Sequence, residues 1–188
     1  LIGAQLVEAL PAKDNWVRLS GEMPEPLRAS IPVDWPFLVK GPAAVYEPDT
    51  AQALGELLKP YRTTRQKEGK EGTEWPMSPD TPVGPALLLN QVGKGEVLTF
   101  AASPDYATAS EHAIVEARRL LVNAVRYLHP NPRIQITAPV TVQAVVSDEP
   151  ETRTLRVHLL SYNIPPQTTP AVNRPYVLPG LIEDAPSY

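Results

Sequence analysis

Asp105 and Tyr106 close the stretch VGKGEVLTFAASPDY, in which a glycine turn and an apolar run lead into an acid and a phenol. In an open α/β sheet, ligands collect at the carboxyl ends of the strands, so the pair marks a candidate ligand-binding corner. The plainer alternative is that Pro104-Asp105 makes a turn and Tyr106 covers the start of the next helix. His112 could act as a base only with a carboxylate or a nucleophile in reach. Asp105 and Glu111 are the local choices, and a helix N-terminus disfavours a protonated imidazole there. Trp75 lies in a long polar segment, where an indole either stacks on a sugar or folds back over apolar surface. Asp105, Tyr106, His112 and Trp75 are therefore the candidate ligand-binding residues, and no residue takes a catalytic role.

Much familiar chemistry is excluded by what the chain lacks. With no cysteine there is no disulfide framework, no thiolate metal site and no cysteine nucleophile. The three histidines lie far apart without metal-ligand spacing, so neither a metal nor another cofactor is expected. GxSxG, Walker and GxGxxG patterns are absent, and Gly93-Lys94-Gly95 joins two strands, where no helix dipole is aimed at a phosphate. A net charge of −4 argues against nucleic acid, whose binding needs clustered Lys and Arg. The basic run RTTRQKEGK is diluted by Glu68 and reads as a solvated loop. No apolar run approaches the roughly 20 residues of a membrane span. The opening LIGAQLVEAL has no initiating Met, basic region or cleavage motif, and reads as the middle of a domain. A piece of a longer protein is the expectation, with the compartment open.

The elements that must position these residues are short, because 23 prolines interrupt the chain and stiffen its loops. Apolar positions 1, 2, 6, 7 and 10 have helical spacing. Asn15–Leu19 is strand-like, and residues 21–36 form a proline-rich loop with Trp35 anchored beneath it. Phe37–Val45 is a strand broken at Gly41-Pro42. Asp49 is placed to cap a helix with a stripe of Ala51, Leu54, Leu57 and Leu58, ended by Pro60. Residues 62–82 form a long loop. Ala86–Asn90 and Glu96–Ala101 make a hairpin across the glycine loop, apolar enough for a sheet covered on both faces. Thr108 and Glu111 match a capping box for a helix lined by Ile114, Ala117, Leu120, Leu121, Ala124 and Leu128. Beyond a proline-flanked junction near residue 132, Thr141–Val146 and Thr154–Tyr162 pair as a second hairpin, His158 having a structural place on its strand.

GKGEVLTF, RRLLVNAVRYL and RVHLLSYN, in that order, resemble a class I glutamine-amidotransferase-like (flavodoxin-like) domain. The likeness is to the β-galactosidase trimerisation type found behind the catalytic barrel of family 42 β-galactosidases and related glycoside hydrolases, and it covers residues 37–188. It implies an incomplete three-layer α/β unit over 1–132 and a small antiparallel β unit over 133–188. True amidotransferases use a Cys nucleophile with a late His and Glu, whereas here Ser103, Pro104 and Asp105 follow Phe100 and no Cys exists. No catalytic residue carries over. The implied role is a non-catalytic accessory and oligomerisation domain of a larger glycoside hydrolase. Its partners would be the catalytic domain of the same parent chain, further copies in a trimer or dimer, and carbohydrate, with no nucleic acid or membrane. The alternative is a stand-alone module holding a sugar or other small molecule near Tyr106 and Trp75. A regulatory protein that binds only other proteins is a third reading.

Overall fold

The computed structural model describes residues 1–61, 78–109, 114–138 and 142–161. Two compact units divide the chain, Leu1–Pro130 and Asn131–Tyr188.

The first unit is built from antiparallel strands. Strand β1, Ala4–Arg18, pairs along its length with β2, Phe37–Pro48. Its ladder is irregular between Leu6 and Glu8 and again between Leu10 and Lys13. Pro11, which has no N–H to give, falls in the second irregularity, where a strand tolerates proline. This is the segment whose apolar spacing predicts a helix. The pairing partner, some thirty residues downstream, decides otherwise. Along β2 the side chains of Phe37, Val39, Ala43 and Val45 turn inward at every second residue, as strand geometry requires.

Residues 49–60 also differ from their helical pattern. They form one bent strand, β3 (Gln52–Leu54) and β4 (Glu56–Pro60), hinged at Gly55 with φ +59°. Ala51, Leu54, Leu57 and Leu58 are buried as the pattern demands, but across both faces of a strand. Asp49 caps nothing with its carboxylate; its backbone N–H, with those of Thr50 and Ala51, donates to the Gly3 carbonyl. Pro79–Gly84, inside the expected loop, is strand β5 at the edge of the sheet, the place where prolines do least harm.

Leu87–Val92 (β6) and Gly95–Phe100 (β7) pair as the hairpin read from the sequence, across Gly93-Lys94. Gly93 sits at φ +61°, the conformation that a II′ turn asks of its first central residue. The sheets are ordered β2-β1-β4-β5 and β3-β6-β7. They meet twice, at Gly55 and where Ala43 bridges Ala102, with Ala44 N–H donating to Ala101 O at 2.7 Å. The result is a half-barrel.

Among the described residues three helices cover it: α1 (Glu25–Arg28), α2 (Pro104–Ala109) and α3 (Val115–Leu128). Proline opens α2, where its missing N–H costs nothing. Thr108 does not form the expected cap; its hydroxyl donates to Pro104 O within α2 at 2.8 Å. Glu111 lies outside the described residues. Ala117, Leu120 and Ala124 of α3 join the core with Leu19, Leu27, Val39, Leu57 and Leu87. Asn123 is buried among them, and its amide donates to Leu27 O (3.2 Å) and Ala29 O (2.9 Å). Arg119 reaches Ser30 O at 2.9 Å. Together they satisfy carbonyls that the short α1 leaves open at its end.

The flavodoxin-like three-layer expectation is thus overturned. Strand dominates, and every pairing is antiparallel. A doubly wound sheet needs helical crossovers between parallel strands, and the two segments expected to supply early helices are strands.

In the second unit, β8 (Val142–Glu149) and β9 (Thr154–Ser161) form a hairpin in register from Val142↔Ser161 to Glu149↔Thr154. The strands run further into the acidic turn than the sequence suggests. Arg153 closes the loop at φ +52°, donating its N–H to Pro150 O. Residues facing each other across a ladder share a face, so Val146, Val157 and Leu159 line an apolar side. Gln143, Ser147, Arg156 and His158 lie on the other, where Val145 and Leu160 alternate with them.

Candidate functional site

The corner after β7 holds together through α2. Ser103 Oγ donates to Pro42 O at 3.0 Å, and the amide of the buried Asn15 donates to Gly41 O at 2.8 Å. Tyr106 lays its ring over Gly41, which has φ +142°; a Cβ there would stand 2.9 Å from Tyr106 Cδ1. Half of Tyr106 remains in solvent. Asp105 is exposed, and none of the described residues bonds its carboxylate. The structure therefore sets Tyr106 against backbone, and among the described residues bonds no second side chain to Asp105. His112 and Trp75, the other two candidates, lie outside the described residues.

A second locus escaped the sequence reading. Arg18, Leu19, Ser20, Asp34, Gly55 and Glu56 line a cleft of about 290 Å³. Arg18 and Glu56 face each other across β1 and β4. The Arg18 guanidinium grips a single carboxylate oxygen, with Nε–H at 2.6 Å from Oε2 and Nη2 on the same atom. Oε1 stays open. Gly55 lets the strands approach, since a Cβ there would be 2.8 Å from Arg18 O. Asp34 adopts φ +60° and is pinned by its N–H to Leu19 O at 2.8 Å; Asp tolerates this conformation better than most residues. Its carboxylate is exposed and has no bonding partner among the described residues.

The next residue corrects an expectation. Trp35 is no anchor beneath the loop but is 70% exposed. Pro32 and Pro36 bracket Val33-Asp34-Trp35 and hold the backbone out. The available signal was an acid-aromatic pair between prolines, the same dyad that drew attention at Asp105-Tyr106.

Tyr127 on α3 has its phenol raised above the usual 10.0, first by burial and then by the negative charge of Glu96 on β7. Among the described residues, no group of three or more His, Asp or Glu side chains could hold a metal ion. No helix there is long and apolar enough to cross a membrane.

No protein-family model and no curated protein matches the chain. Its fold is similar to part of a solved glycoside hydrolase, α-L-fucosidase isoenzyme 2 from Paenibacillus thiaminolyticus, with a TM-score of 0.62 and 17% identity. The likeness covers 97% of this chain and 25% of the fucosidase. At that identity it is a likeness of fold, and the chain spans about a quarter of the enzyme's length. The β-rich architecture sets aside the amidotransferase and flavodoxin resemblance, and what remains is a likeness of fold to part of that glycoside hydrolase.

Proposed function

We propose that the chain is a non-catalytic accessory domain of a larger glycoside hydrolase-like protein, working beside a catalytic domain of the same parent chain. The observation that carries this reading is the fold likeness, which takes in nearly all of this chain and only a quarter of a carbohydrate-cleaving enzyme. The chemistry of the corner agrees with it. Acid–base cleavage of a glycosidic bond needs two carboxyl groups facing each other across a cleft, and among the described residues none is paired with Asp105 at the corner. In the second cleft, which Asp34 also lines, one oxygen of Glu56 is held by Arg18.

The test is the parent reading frame together with two assays. A catalytic segment encoded in the same frame is expected. The parent should hydrolyse aryl glycosides and the present chain should not. Turnover by this chain alone, lost in Asp105→Asn or Glu56→Gln, would overturn the reading. Self-association belongs to the same proposal. The parent is expected as a trimer or dimer by light scattering, and a parent that stays monomeric at micromolar concentration removes the oligomerisation role.

A further inference from the structure

Arg18, Leu19, Ser20, Asp34, Gly55 and Glu56 line the cleft, and directly after Asp34 in sequence comes an aromatic whose exposure the fold itself does not need, Trp35, which stands outside the lining. Fold stability would be better served by tucking the Trp35 indole away, since a buried aromatic removes a large apolar area from water. Instead the ring is 70% exposed on a segment stiffened by two prolines. Beside it in sequence, the Asp34 carboxylate is free and its backbone is tied into a left-handed turn. On the cleft wall, among the described residues, Glu56 Oε1 is left as an acceptor and the Arg18 N–H groups not spent on Oε2 are left as donors. Ser20 Oγ accepts from the Glu22 N–H at 3.1 Å, leaving its own O–H free to donate.

Charge narrows the class of ligand. Arg18 and Glu56 neutralise each other, and Asp34 leaves the site about one unit negative. An anion would be repelled by Asp34, and a cation would have to compete with Arg18 for Glu56. A neutral polyol, which donates and accepts from every hydroxyl, meets both kinds of group. A volume of about 290 Å³ lies at the lower end for ligand pockets and suits a single ring. A sugar ring also has an apolar C–H face, the natural partner for an exposed indole.

We infer that this cleft is a binding subsite for one neutral sugar ring, its hydroxyls held by Asp34, Ser20 and the Arg18–Glu56 pair and its apolar face resting on Trp35. The inference rests on the reading of the chain as part of a carbohydrate-active protein and gives that reading a location. The rigid loop favours binding because little conformational freedom is lost on docking. With one ring and an open site, a dissociation constant on the order of 1 mM is expected.

The experiment is a ¹H–¹⁵N NMR titration of this chain with L-fucose, D-galactose and D-glucose, each to about 50 mM, and separately with methylammonium chloride. At least one sugar should shift the amides of Arg18–Ser20, Asp34–Trp35 and Gly55–Glu56. Trp35→Ala and Asp34→Asn should each weaken that response about tenfold or more. Both side chains are exposed, so the variants should keep the wild-type Tm and spectrum. Tyr106→Ala should leave the sugar response unchanged. Flat titrations with all three sugars overturn the inference. So do shifts centred on Tyr106, a response indifferent to Trp35→Ala, or binding of methylammonium alone. The accessory-domain reading is decided separately by the parent reading frame, so either can fail while the other stands.

Discussion

At the scale of single residues, Asn123 and Tyr127 show how α3 is held. Asn123 is a buried polar group with two backbone partners on the loop that ends α1. Replacing it with Leu keeps the branched outline, in a larger side chain, but strands both carbonyls, so Asn123→Leu should cost about 1–3 kcal/mol. Urea denaturation should show a lower midpoint with an unchanged slope. Tyr127 makes a pH prediction. Its phenol is raised above 10.0 by burial and by Glu96, so the fold prefers the protonated form. That preference is fully present below pH 10 and is lost as pH climbs through the higher folded value. The wild type should therefore lose urea stability between about pH 9 and 11 more steeply than Tyr127→Phe. Equal slopes for the two would show that Tyr127 makes no contribution there.

At the scale of elements, glycine separates two kinds of turn. Gly55 and Gly93 both have positive φ, but a methyl at Gly55 meets Arg18 O at 2.8 Å while one at Gly93 meets nothing. Gly93→Ala should cost only the backbone strain, about 1 kcal/mol. Gly55→Ala should cost clearly more, because it forces apart the strands that carry Arg18 and Glu56. Thermal unfolding of the two variants gives the comparison directly. Gly55 also shows where sequence reasoning succeeds and fails. The hairpin Leu87–Phe100 and the apolar face of α3 were legible because their partners are close in sequence or set by one period. The burial of Ala51, Leu54, Leu57 and Leu58 was legible too, but a spacing of three and four also fits a bent strand covered on both sides. Only the distant partner β1 resolves the choice. The Arg18–Glu56 pair, made by strands 38 residues apart, leaves no trace in any local window. Asp105 and Tyr106 lie just past a strand end, as the sequence suggests, but what Tyr106 does there depends on Gly41, equally remote.

At the scale of the whole molecule, the two units call for separate treatment. Leu1–Pro130 contains the half-barrel, the three helices and the hydrophobic cluster, so a chain ended after Pro130 should unfold cooperatively with its own Tm. A peptide of residues 131–161 should stay unfolded by circular dichroism, since a lone two-stranded hairpin with Val157 and Leu159 in solvent is marginal at best. The clasp between Asn123 and Leu27 closes a separation of 96 residues, and this has a consequence in time. As the chain leaves the ribosome, β1, β2 and β4 can pair first, but their inner faces stay uncovered until α3 has been made. Contacts of such long range slow folding toward the millisecond-to-second regime of β-rich domains, so the nascent half-barrel passes through an interval in which its apolar lining is open to chaperones and to other nascent chains.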